Sequence, residues 1–137
     1  MASSPAEGLS RLRAAAESGE LDAFCRKHHV RILTVFGSTA RGEPTARDLD
    51  IGIMTEPDAD FDIFTAVYEL MVLTDVDRVD VAHLNRGGPL IRERALVGSI
   101  VLYERTPGLF ATAEMAAVAE RMETDRFRWL NLELLAG

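Results

Sequence analysis

Apolar and polar positions along the chain change period several times. Leu9, Leu12 and Ala16 fall on one face of a helix over residues 8–18, and Leu21, Phe24 and Cys25 on one face of a second over 20–28, with Gly19 between them. Residues 1–7 are expected to be a loose end. VRILTVF, residues 30–36, is β-branched and apolar and predicts a buried strand. A short helical turn over 38–42 precedes DLDIGIM, residues 48–54, which alternates as a strand. Pro57 and Asp58 open an expected helix of about four turns to Leu73. It has one apolar stripe of Phe61, Phe64, Tyr68 and Met71 and another of Ile63, Val67 and Leu70, a width that suggests burial on two sides.

RVDVAHL, residues 78–84, predicts a third strand, and SIVLY, 99–103, a fourth. Between them Gly87, Gly88 and Pro89 turn into a helix ending near Val97, with Gly98 as its stop. Past Pro107 and Gly108 a long helix places Met115, Val118, Ala119 and Met122 on one side, and its continuation DRFRWLNLELL reads as bent or separate. The order α-α-β-α-β-α-β-α-β-α implies an α/β or α+β fold, a mixed sheet of about four strands covered by helices. A chain of 137 residues fits one domain, divided into N-terminal helices (1–29), a core (30–105) and a C-terminal helix (106–137).

The stretch FGSTARGEPTARDLDIGI, residues 36–53, departs from this ordinary pattern. Aspartate is depleted in strands, yet Asp48 and Asp50 stand one residue apart at the second strand and project to one face, with Leu49 and Ile51 turned to the core. Two carboxylates so placed must share a proton, pair with arginines, or hold a divalent metal. Asp80, alternating against Val79 and Val81, would join them if the second and third strands are neighbours. Three hard oxygen ligands on a rigid sheet then form an expected Mg²⁺ site. Directly upstream, Gly37 ends the first strand, and Ser38, Thr39 and the following backbone N–H groups can cradle an anion. Ser38 adds a hydroxyl and Arg41 a guanidinium. Together these groups suit a nucleoside triphosphate with its Mg²⁺.

Net charge sharpens the reading. With 22 acidic residues against 15 basic, the chain carries −7, which argues against tight, non-specific nucleic-acid binding. No stretch approaches the length of a membrane span, the first residues lack a signal-peptide core, and the single Cys25 fits a reducing compartment. A cytoplasmic location is the expectation. His28 and His29 lack a paired ligand spacing, and His83 reads as a packed strand residue.

Gly37-Ser38-Thr39-Ala40-Arg41-Gly42, then Asp48-Leu49-Asp50, then Asp80 resembles the signature of the nucleotidyltransferase superfamily that includes DNA polymerase beta. Within it the pattern is most similar to the minimal nucleotidyltransferases (MNT) of HEPN/MNT toxin–antitoxin pairs. Residues 89–105, PLIRERALVGSIVLYER, resemble the segment that follows in that group. Arg47 stands where many members have serine, and the loop before it is slightly short. The resemblance implies that Asp48 and Asp50 bind Mg²⁺ and triphosphate, that Asp80 completes the metal site and helps activate the attacking hydroxyl, and that Gly37 and Ser38, with Arg41, hold the terminal phosphates. It further implies ATP as donor and, as acceptor, a tyrosine of a HEPN toxin, an RNase silenced by adenylylation. An antitoxin that only binds, or a small-molecule transferase similar to those acting on aminoglycosides, are the alternatives. The apolar stripes over 58–73 and the ending FRWLNLELL are expected to mark an interface with the toxin or, failing that, with a second copy.

Overall fold

The computed structural model describes residues 2–136. Strand β1 (Val30–Phe36) is central, with β2 (Leu49–Thr55) and β4 (Ile100–Glu104) antiparallel on either side. Strand β3 (Val79–His83) lies outside β2 and parallel to it, giving the mixed four-stranded order β3-β2-β1-β4. The β2–β3 parallel pair needs a crossover, which α4 (Ile63–Thr74) supplies.

Strand alternation sorts the sheet into two faces. Leu33, Val35, Leu49, Ile51, Ile53 and Val81 are buried with α1 (Pro5–Ser18), α2 (Glu20–Lys27) and α4. On the reverse, Ile32, Phe36 and Leu84 pack with α5 (Pro89–Leu96) and α6 (Leu109–Ala136). Asp50, Gly52 and Thr34 belong to this second face. The buried Thr34 hydroxyl donates to the Ala95 carbonyl at 2.7 Å and fixes α5 on the sheet. Only glycine fits at position 52, because a Cβ there would lie 2.7 Å from Thr34 Oγ1 and 3.1 Å from Ala95 Cβ. Among the described residues no helix is long and apolar enough to cross a membrane.

Four local expectations need correction. Residues 3–7 are not a loose end, and Met1 lies outside the described residues. Ser4 caps α1, with Glu7 completing a reciprocal capping box, and the Ser3 hydroxyl donates to Asp75 at 2.8 Å. Helix α4 begins at Ile63, not at Pro57, because the Asp62 carboxylate accepts from the N–H groups of Phe64 and Thr65. Its burial is one-sided: Ala66 and Leu70 are inside, while Phe64 and Tyr68 are 84% and 66% exposed. Helix α6 is one uninterrupted helix of 28 residues, and Met115 and Met122 point outward while Ala117 is buried. Small side chains face the body there because α5 packs close against α6.

His28 and His83 have structural partners. His28 is buried against Phe24 and bonds Glu69 Oε2 at 2.7 Å; His83 meets Thr55 Oγ1 at 3.0 Å and stacks on Phe61. Burial opposes ionisation of Glu69, but bonds from Lys27 and His28 outweigh it and hold its pKa below the ordinary carboxylate value. A depressed folded pKa stabilises above the unfolded value and is lost as pH falls through the folded one. Glu69→Gln is therefore expected to cost about 1 kcal/mol at pH 7. In urea titrations the difference from wild type should shrink as pH drops below roughly 4.

Candidate functional site

The motif residues gather at the end of the sheet where β1 stops and β2 starts. Phe36 pairs with Asp50 across the antiparallel ladder, and Asp50 pairs with Asp80 across the parallel one. The condition set for Asp80, that the second and third strands be neighbours, is thus met, and Asp50 and Asp80 stand side by side on the α5/α6 face. Asp48 precedes β2 by one residue, and its carbonyl accepts from the Thr39 hydroxyl at 2.7 Å. That bond ties the Gly-Ser turn to the acidic strand.

Gly37 begins the short helix α3 (Gly37–Ala40) with φ +75°, a left-handed value that disfavours any side chain. A Cβ on Gly37 would lie 2.3 Å from Asp50 Oδ2, so the turn's backbone passes directly over the carboxylate. Ser38, half-buried, follows it, and among the described residues no hydrogen bond engages its hydroxyl. Arg41, exposed at the end of α3, pairs with Glu43 at 3.0 Å. Next to Gly37 and Arg41 opens a cleft of about 320 Å³, walled by α5 and α6.

Electrostatics follow from this crowding. Burial, then the carboxylates of Asp80 and Asp48, push the Asp50 pKa above its usual value, while Arg94 and Arg41 pull it down. The negative charge here is incompletely compensated, which is the condition a divalent cation relieves. The donors, all hard carboxylate oxygens, fit Mg²⁺ in chemistry and charge. They are not drawn together as ligands, however: among the described residues no three His, Cys, Asp or Glu side chains form a group able to hold an ion. Asp48 is turned aside to Arg78, at 3.2 Å. That pair is largely exposed and worth little, so opening it costs little.

Sequence reasoning missed Arg78 and Arg94. Neither lies in a motif, and their nearness to the aspartates depends on how β3 and α5 pack, for which the sequence offers no local signal.

A crystal structure of a toxin–antitoxin with AMP-PNP superposes with a TM-score of 0.68 at 15% identity, covering 87% of this chain and 98% of that one. A tri-AMPylated Shewanella oneidensis HEPN toxin in complex with MNT antitoxin gives 0.64 at 14% identity, covering 91% and 99%. The toxin–antitoxin MntA–HepT gives 0.63 at 13% identity, covering 87% and 96%. At these identities the likeness is one of fold. No curated protein matches the sequence at a significant level. The model of the family "Polymerase beta, Nucleotidyltransferase" matches residues 20–107, which span the Gly-Ser turn, all three aspartates and the whole sheet. The chain belongs to the polymerase beta nucleotidyltransferase family.

Proposed function

We propose that the protein transfers AMP from ATP to a hydroxyl of a protein partner, a HEPN toxin, and acts as its antitoxin. The observation that carries this reading is the apposition of the Gly37 turn to Asp50 and Asp80. It sets a phosphate cradle against a carboxylate pair whose mutual repulsion calls for a cation. In the reading, Asp48, Asp50 and Asp80 hold Mg²⁺. When bound, the metal supplies Lewis-acid stabilisation of the phosphoryl oxygens and of the departing pyrophosphate. The Gly37 and Ser38 backbone and the Ser38 hydroxyl orient the terminal phosphates, and Arg41 exchanges Glu43 for phosphate. Asp80, at the outer strand β3, accepts the proton of the attacking hydroxyl. The bond formed joins the acceptor oxygen to the α-phosphorus, the bond broken is α-phosphorus to bridging oxygen, and pyrophosphate leaves.

A protein acceptor is favoured by the surface. Phe64, Tyr68 and Val72 are exposed on α4, and Phe127, Trp129, Leu130, Leu132 and Leu134 on the distal half of α6. Apolar exposure on this scale marks an interface. The similarity to chains in HEPN toxin–MNT antitoxin complexes supports the class of partner. The same surface also suits an antitoxin that silences by binding alone, and the two differ in whether the partner gains mass.

ATP labelled at the α-phosphate should mark the partner, while ATP labelled at the γ-phosphate should not. Marking by the γ label would replace nucleotidyl transfer with phosphoryl transfer, and marking by neither would leave binding alone. Ser38→Ala should reduce transfer about tenfold or more, the loss of one phosphate donor, with little change in melting temperature. A large fall in stability at unchanged transfer would assign Ser38 to the fold instead.

A further inference from the structure

The cleft beside Gly37 holds a concentration of positive charge that the motif does not account for. Its walls carry Arg41 from the end of α3, Arg94 from α5 and Arg121 from α6, against one acid, Glu93. In a chain of net charge −7, three guanidiniums around one opening next to three aspartates are an exception to the general surface. Their engagements differ. Arg121 is held from two sides, by Glu93 at 3.0 Å and Asp125 at 2.7 Å. Arg41 has only its exposed pair with Glu43. Arg94 is exposed, and among the described residues it has no ion-pair partner.

We infer that Arg94 is a binding residue for the donor's polyphosphate, on the α5 wall of the cleft that Gly37 also lines. The inference rests on the nucleotidyl-transfer reading and adds a wall to its site. A guanidinium offers a planar fork of donors that matches phosphate oxygens. Phe36 and Gly37, where the turn begins, also line the cleft. A polyphosphate lying along it has the turn on one side and α5 on the other. Fixing Arg94 in the cleft is the work of α5, which the Thr34–Ala95 hydrogen bond anchors one residue away.

The test is calorimetric titration of ATP and of inorganic tripolyphosphate, each with Mg²⁺, into the wild-type protein, Arg94→Ala and Arg94→Gln. Because Arg94 is exposed and, among the described residues, has no ion-pair partner, both variants should melt with wild type. Both ligands should weaken by a similar factor, on the order of tenfold or more, since the lost bond is to the part they share. Unchanged tripolyphosphate affinity in both variants overturns the inference and leaves the transfer reading standing. Weakening of ATP with unchanged tripolyphosphate overturns it too, placing Arg94 at the nucleoside. A wild-type protein that binds neither ligand overturns the inference together with the reading beneath it.

Discussion

Asp48→Asn/Asp50→Asn should abolish nucleotidyl transfer, by about a thousandfold or more, and yet yield a protein that melts no lower than wild type. The loss follows from removing two of the three carboxylates, leaving Asp80, from the proposed metal site. Metal stabilisation of a transferring phosphoryl group is worth several kcal/mol, and each 1.4 kcal/mol or so is a factor of ten in rate. The stability gain follows from the same crowding. Burial and the neighbouring carboxylates raise the pKa of Asp50, so the folded protein holds the proton more tightly than the unfolded chain. Stability from such a group is present at low pH and is lost as pH rises through the raised value. Asparagine removes that cost at neutral pH. In metal-free buffer the gain should be about 1 kcal/mol or less, since the site is partly exposed, and it should vanish below about pH 4. Melting curves with and without Mg²⁺ check it: Mg²⁺ should raise the wild-type melting temperature and leave the variant's alone. A variant that loses transfer because it unfolds would return these aspartates to a structural role.

Gly37→Ala has the second-largest expected effect and separates geometry from charge. The left-handed φ of +75° makes a side chain unfavourable by about 1 kcal/mol. The new Cβ would also sit 2.3 Å from Asp50 Oδ2, though 3.3 Å from Cγ and 3.6 Å from Cβ of the same residue. The offended atom is the end of a side chain that can rotate, so the fold survives with a modest loss. The carboxylate, however, must leave its place over the turn. A displacement near 1 Å at a reacting centre can cost about a hundredfold, and transfer should fall by that order while the melting temperature drops only a few degrees. Denaturant unfolding and transfer rates on the same preparation measure both. Equal collapse of stability and activity would show that Gly37 serves the chain and not the site.

The sequence was most legible where interactions are local. Strand β1 occupies residues 30–36 as predicted, because a β-branched run with no polar break admits little else. The Gly-Ser turn and the Asp-x-Asp strand are separated by a short loop, so their apposition was readable before any fold was known. The boundary of α4 was misread because two starts competed. Pro57–Asp58 has the composition of a helix opening, but Asp62 reaches two backbone N–H groups and the Thr65 hydroxyl, and the stronger cap wins. The order of the chain start rests on the Ser4–Glu7 capping box, a local signal of serine followed three residues later by glutamate. For α6, the expected bend or break before DRFRWLNLELL is absent, and the face turned to the body is made by Ala113 and Ala117, which the close approach of α5 admits. Arg94 and Arg78 were beyond reach, since a long-range charge contact has no signature in the segment that carries it.

The most direct measurement is the intact mass of the proposed HEPN partner recovered from cells that carry either the wild-type chain or Asp48→Asn/Asp50→Asn. Catalytic silencing predicts a partner heavier by one AMP unit or a small multiple with the wild type, inactive even after separation, and an unmodified, active partner with the double variant. A partner of unchanged mass that the double variant silences as well as the wild type does would contradict nucleotidyl transfer and leave an antitoxin that acts by binding alone.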